Sequence, residues 1–159
     1  MDTPLVRSLN FHHLCIGSLL ILSCLVVLSC LQPRPSTECR QFYDLSAQQR
    51  EAKLRASPIK EQLTFYECGM YQEPPTDYAS DVADGGERII PVVLDQLKAE
   101  SSETGQDLLI HIFEELALNG HLRGRRDVAD QVQQLVSAMK DDASKRSSQR
   151  RLNVIENNF

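Results

Sequence analysis

The feature that most constrains the fold is a helical periodicity of apolar residues that fills the second half of the chain. Apolar side chains recur there every three or four residues, in four stretches at 87–98, 106–119, 128–140 and 143–156. This spacing places them on one side of a helix. Pro91 fits the first stretch only within a first helical turn. Since no stretch alternates as a strand does, the sequence predicts an all-α fold of stacked antiparallel helices.

The sequence of residues 39–72 predicts a further helical hairpin, which lies N-terminal to these stretches. Residues 45–56 are nearly all good helix formers, and Ser57-Pro58 ends that helix and starts the next. The second helix carries Ile59, Leu63, Tyr66 and Met70 at helical spacing. We therefore expect one helical domain over residues 39–159, with this hairpin at its N-terminal end.

The rest of that domain divides into two helical pairs, 77–120 and 126–157, with a weak internal repeat. At an offset of 42, Ile90, Val93, Leu94, Leu97 and Lys98 align with Val132, Leu135, Val136, Met139 and Lys140. At an offset of 43, Gln106, Leu109 and Ile112 align with Gln149, Leu152 and Ile155. Such a period is typical of HEAT and armadillo units, which have roughly 40–47 residues. Any two amphipathic hairpins of similar length would also align in this way, so both interpretations stay open.

The segment from Met139-Lys140-Asp141-Asp142 through Lys145-Arg146 to Leu152 and Ile155 resembles the turn and second helix of a HEAT repeat. The resemblance implies a HEAT-like, short α-solenoid in which Asp142 and Arg146 help to join neighbouring units. Ser147 and Ser148 depart from the family pattern, which usually has valine or alanine there. Asp142 is also the expected cap of the last helix.

An uncharged apolar run from Leu14 to Leu31 precedes the helical domain. As a helix it would be roughly 27 Å long, close to the thickness of a bilayer core. We expect residues 1–30 to be a signal or membrane-targeting segment containing an apolar helix. Residues 31–38 should form a tether, because Pro33 and Pro35 disfavour a helix.

The residues Val27-Leu28-Ser29-Cys30 resemble the lipobox of bacterial lipoproteins. The resemblance implies that Cys30 becomes the lipidated first residue of the mature chain. Cys24 has a similar local context, but cleavage there would leave an exposed apolar stub. An ordinary cleaved signal peptide and a retained anchor are the alternatives.

Two cysteines, Cys39 and Cys68, lie beyond the targeting segment. An even pair in an exported domain predicts a disulfide, which would stabilise the fold by about 3–4 kcal/mol by closing a loop of roughly 30 residues. Two separate buried thiols are the alternative. Together with the targeting segment, the pair predicts a protein of the cell envelope that faces the periplasm or the exterior.

Composition and motifs disfavour several classes of function. The chain has no tryptophan and 6% aromatic residues, which disfavours nucleic-acid and sugar binding. It lacks HExxH, GxSxG, P-loop and SxxK motifs, so we expect no enzyme, no catalytic residue and no cofactor. The stripe Asp77, Asp81 and Asp84 lacks EF-hand spacing, and His111 with Glu114 lacks the repeated motif of a di-iron site. We expect no metal site.

Basic residues are concentrated near the C-terminus in two clusters. The candidate anion-binding or partner-binding residues are Arg123, Arg125, Arg126, Lys145, Arg146, Arg150 and Arg151. Internal pairing with Asp127, Asp130, Asp141 and Asp142 is the simpler interpretation.

These patterns together predict an exported, lipid-anchored envelope protein whose HEAT-like domain is a protein-interaction or scaffold module. It would meet the membrane through its N-terminal segment or a lipid, and it would bind a protein partner of unknown identity. The alternative is a peripheral binder of anions or lipid headgroups that uses the basic clusters. An enzyme with an active site outside the known motifs is a third, more distant alternative.

Overall fold

The computed structural model describes residues 36–70, 72 and 75–158. Within these ranges it contains eight α-helices, one 3-10 turn and no strand, which confirms the all-α prediction. The helices are α1 (Thr37–Tyr43), α2 (Ala47–Ala56), α3 (Ile59–Gly69), α4 (Ala79–Ala83), α5 (Ile90–Ala99), α6 (Glu103–Leu118), α7 (Arg126–Ala138) and α8 (Asp142–Glu156). The predicted targeting segment 1–30, Cys30 and the first part of the tether lie outside the described residues. None of the helices in the described ranges has both the length and the apolar character needed to cross a bilayer.

The N-terminal part contains one helix that the sequence pattern did not indicate. Helix α1 begins at Thr37, within the predicted tether, and the Ser36 hydroxyl accepts a hydrogen bond from the Cys39 N–H at 3.1 Å. Helices α2 and α3 follow as predicted. Ser46 and Gln49 form a capping box at the start of α2, and Pro58 precedes α3.

The predicted helix over 87–98 is divided in the structure. Residues Gly86–Ile89 form a 3-10 turn, and α5 begins only at Ile90. Pro91 therefore lies in the first turn of α5, where its missing N–H costs no helical hydrogen bond.

Helix α6 ends in a Schellman motif at Gly120. The Gly120 N–H donates to the Ala117 carbonyl at 2.9 Å, and the His121 N–H donates to the Leu116 carbonyl at 2.8 Å. Gly120 has a φ of 76°, a left-handed conformation that glycine adopts readily. The predicted role of Gly120 as the residue that closes this helix is confirmed.

The cap of α8 lies one residue earlier than the sequence predicts. The Asp141 carboxylate accepts a hydrogen bond from the Ser144 N–H at 2.7 Å, and Asp142 is the first helical residue. The expectation that Asp142 caps this helix is therefore wrong by one position. Either aspartate could satisfy a free N–H, and the backbone conformation of the turn decides which one does so.

Helix α6 is the centre of the described fold. It packs against α4, α5 and α8, and its buried residues are Leu108, Leu109, Ile110, Ile112, Phe113, Leu116 and Ala117. Contacts of Glu103 with Asp141, Asp107 with Ser148 and Glu114 with Arg151 advance together along both helices. Helices α6 and α8 therefore run parallel, and α7 returns between them in sequence.

Candidate functional site

A row of partly buried polar side chains follows one face of the central helix α6. Asp107, His111, Glu114 and Glu115 recur at helical spacing, so they share this face. Other elements complete the row, which we name the α6 polar seam; the added side chains are Tyr66 of α3, Asp77 before α4, and Ser148 and Arg151 of α8. The seam thus joins α6 to the N-terminal hairpin on one side and to α8 on the other.

Arg151 is the basic group that connects the seam to α8. Its Nη1 donates to Glu114 Oε2 at 2.6 Å, and its Nε lies 3.4 Å from Asp107 Oδ1. Ser148 is fully buried and donates its hydroxyl to the same Asp107 oxygen at 2.8 Å. About a fifth of the Arg151 side chain is exposed (21%), so solvent screens these ion pairs only in part.

His111 occupies the other half of the seam. Its Nδ1 lies 3.1 Å from Tyr66 Oη and 3.7 Å from Asp77 Oδ2. Its Nε2 lies 3.9 Å from Glu114 Oε2 and 3.7 Å from Glu115 Oε1. The imidazole is therefore surrounded by carboxylates of α6 and of the segment before α4.

Tyr66 links this half of the seam to the backbone of α6. Its hydroxyl donates to the Leu108 carbonyl at 3.0 Å, and its ring is fully buried. Burial, and then the nearby Asp77 carboxylate, raise the pKa of Tyr66 well above its ordinary value. The hydroxyl therefore stays protonated and remains a hydrogen-bond donor at any physiological pH.

The arrangement of the seam favours cohesion between helices. Arg151 forms ion pairs with Glu114 and Asp107, and Tyr66 donates a hydrogen bond to the backbone. Most polar groups of the seam therefore have partners within the fold. In the part of the chain that the structure describes, no three histidine, cysteine, aspartate or glutamate side chains are placed to hold a metal ion.

The predicted basic residues have different surroundings in the structure. Arg125 makes a double hydrogen bond to Asp127 at 3.0 Å, which lowers the pKa of that carboxyl. Lys145 donates to the Ser137 and Met139 carbonyls at 3.2 Å and so caps the end of α7. Of the seven predicted basic residues, Arg123, Arg126, Arg146 and Arg150 are exposed and make no ion pair inside the described ranges.

The two basic clusters lie on one helical hairpin. Helices α7 and α8 are joined by a short connection, and short connections join antiparallel neighbours. Arg123–Arg126 lies at the start of α7. Lys145 and Arg146 lie near the start of α8, and Arg150 and Arg151 lie nearer to its end.

The contact between the two helical pairs uses a residue that sequence reasoning missed. The Glu103 carboxylate, in the first turn of α6, accepts hydrogen bonds from the Lys140 N–H at 2.9 Å and the Asp141 N–H at 2.6 Å. Asp142 and Arg146, expected to join the units, are exposed and make no ion pair within the described part of the chain. An acidic residue near a helix start is common, and only the fold shows that Glu103 reaches a second turn.

The predicted cysteine pair lies at the N-terminal end of the fold. Cys39 of α1 and Cys68 of α3 are at disulfide distance, with their Cα atoms 5.8 Å apart, and both residues are buried. The pair joins the start of the N-terminal part to the end of its last helix.

Comparisons with protein-family models, with curated proteins and with solved structures find no match for this chain.

Proposed function

We propose that this chain is an exported, lipid-anchored envelope protein whose helical domain is a protein-interaction module. The observation that supports the proposal most is the Cys39–Cys68 pair at disulfide distance. Disulfides persist in oxidising compartments, which agrees with an apolar targeting segment ahead of the pair.

Lipid attachment at Cys30 is tested by the intact mass of the membrane-extracted protein. A chain that begins at Cys30 and carries added acyl mass supports the anchor, whereas full length means a retained segment and an unmodified shorter chain means simple secretion. Cys30→Ser should abolish both the added mass and the cleavage before residue 30, so that an unlipidated chain with its apolar segment remains. Cys24→Ser is the matched control and should leave both unchanged.

The interaction role is supported by the arrangement of the C-terminal helices. Helices α5 and α6 form one pair, α7 and α8 form the next, and the second helices of the pairs run parallel and in contact. This is the relation expected of successive units in a HEAT-like solenoid. The outward face of α8 carries Arg146, Gln149, Arg150 and Asn153 and is open to a partner.

A photo-crosslinking residue at Arg150, in the envelope, tests the interaction role. One discrete adduct that is insensitive to salt supports a specific protein partner. The same residue at Lys60, exposed on α3, is the control and should not give that adduct. Adducts of equal pattern from both sites would contradict the proposal.

One observation favours the alternative of an anionic-headgroup binder: Arg146 and Arg150 lie one turn apart on the exposed face of α8. If this is the function, residues 36–159 should bind vesicles containing anionic lipid in a salt-dependent way, and R146E with R150E should abolish binding. R125E is the matched control, because Arg125 is already paired with Asp127. No difference between anionic and neutral vesicles excludes this alternative.

A further inference from the structure

Helix α1 is the first described element, it begins inside the predicted tether, and its first turn already contacts the body. Cys39 lies in the first turn of α1 and is buried beside Cys68 of α3. Helix α3 in turn packs against α1, α2, α4 and α5. A pulling force applied to the chain at Ser36 therefore acts on the cysteine pair within one helical turn.

Further contacts hold α1 at its other end, through Phe42 and Tyr43. The Phe42 ring stacks on Phe65 with ring centres 4.0 Å apart, and Tyr43 Oη donates to the Phe65 carbonyl at 2.9 Å. Helix α1 has seven residues, and isolated helices of that length are unstable in water. Its helical structure therefore depends on docking to α3.

The order of these contacts along the chain matters for a tethered protein. A pull from the tether loads the start of α1 first, where the cysteine pair offers a covalent connection to α3. Without that connection, the load would detach α1 from α3 progressively. Detachment would start at the N-terminal end of α1 and proceed toward Phe42. The packing contacts would then be broken one after another, which requires less force than breaking them together.

We propose that the Cys39–Cys68 bond is the attachment point between tether and body, and that it decides whether residues 36–46 belong to the body or lengthen the tether. Released and extended, these residues would add roughly 35–40 Å to the reach of the domain. The proposal rests on the proposed function for the membrane anchor, but the docking of α1 can be measured without it.

The bond also makes this attachment sensitive to redox conditions. A dithiol that reduces it gives two electrons and two protons, so that the S–S bond becomes two thiols and the dithiol becomes a disulfide. In the reduced state the packing and hydrogen-bond contacts of α1, chiefly those of Phe42 and Tyr43, have to hold it.

Hydrogen exchange of the full-length chain in detergent tests the proposal. Compared with the wild type, a C39S and C68S double variant should exchange its α1 amides faster, and the increase should be at least tenfold larger for α1 than for α6. E61Q, an exposed substitution on α3, is the control and should behave as the wild type. Equal protection of α1 in the double variant would overturn the proposal, and so would equal loss of protection in α1 and α6, since the bond would then hold the whole fold.

A second variant separates the bond from the packing. With the cysteines intact, F42L should change the exchange of the α1 amides less than threefold. If F42L exposes α1 as much as loss of the cysteines does, packing decides the attachment and the proposal fails. The intact mass of the same preparation shows separately whether the chain is lipidated, so a failed anchor is distinguished from a failed attachment.

Discussion

Glu67 of α3 is a carboxyl group that folding places in an unfavourable environment. Burial, and then the nearby Glu100 carboxylate, raise its pKa above the ordinary value of 4.5. The folded chain therefore holds this proton more tightly than the unfolded chain does. The contribution of Glu67 to the free energy of unfolding falls as the pH rises from 4.5 through the raised pKa, and it is level above that.

Replacing Glu67 with glutamine should remove this loss of stability with rising pH. We expect E67Q to have a higher urea midpoint than the wild type at pH 7 and an equal midpoint at low pH, where the native carboxyl is also neutral. The control is E61Q, an exposed glutamate on the same helix, which should match the wild type at both pH values. A lower midpoint for E67Q at pH 7 would contradict the burial argument.

Arg151 makes the second prediction at the residue scale. R151M leaves Asp107 and Glu114 without their guanidinium partner in a mostly buried place, and should lower the free energy of unfolding by about 2–3 kcal/mol. R150M, one residue earlier and exposed, should change it by less than about 0.5 kcal/mol. Urea unfolding of both variants checks the difference. Equal effects would mean that Arg151 is not held in the seam.

At the scale of elements, the helices with long amphipathic patterns were predictable and α1 was not. Helix α6 has enough apolar residues at helical spacing to identify it from the sequence alone. Helix α1 has seven residues and two buried side chains, Cys39 and Phe42, which is too few to show a period. Its position depends on the contacts of Phe42 and Cys39 with α3, and these are tertiary.

Glu103 gives a prediction at the same scale, because it connects the start of α6 to the turn between α7 and α8. Its carboxylate accepts from two backbone N–H groups, and hydrogen bonds to a charged acceptor are stronger than neutral ones. E103A should lower the free energy of unfolding by about 1–2 kcal/mol and speed exchange of the Lys140 and Asp141 amides. T104A, at the exposed neighbouring position, is the control. Unchanged exchange at residues 140 and 141 would show that the connection is absent in solution.

For the whole molecule, the cysteine pair should make a large contribution to stability. Loss of both cysteines, as C39S with C68S, should lower the free energy of unfolding by about 3–4 kcal/mol, the value expected for a loop of this length. Guanidinium unfolding measures the change, with the exposed substitution E61Q as the control. Non-reducing mass mapping that finds Cys39 and Cys68 as free thiols would contradict the prediction directly.

The candidate site, like the helices, was predictable from the sequence only in part. The basic residues were identified from the sequence as two clusters, since charge is visible in the sequence. In the structure Arg151 lies in the α6 polar seam, Lys145 caps the end of α7 and Arg125 pairs with Asp127. The first two contacts could not be predicted, because partners distant in sequence become neighbours only on folding. Asp107 had no signal of its own, since a single polar residue on a helix has no pattern, and Tyr66 was predicted only as part of the apolar face of α3.

The sequence by itself determined that the domain is helical and where its longer helices lie, because apolar periodicity and turn residues act over a few neighbouring positions. It also picked out Cys39 and Cys68 as the pair to consider. Only the tertiary structure decided that α6 is central, that α6 and α8 run parallel, and that Arg151 and Glu103 join them. Those facts depend on how helices pack, and packing is set by shape and burial summed over the whole domain.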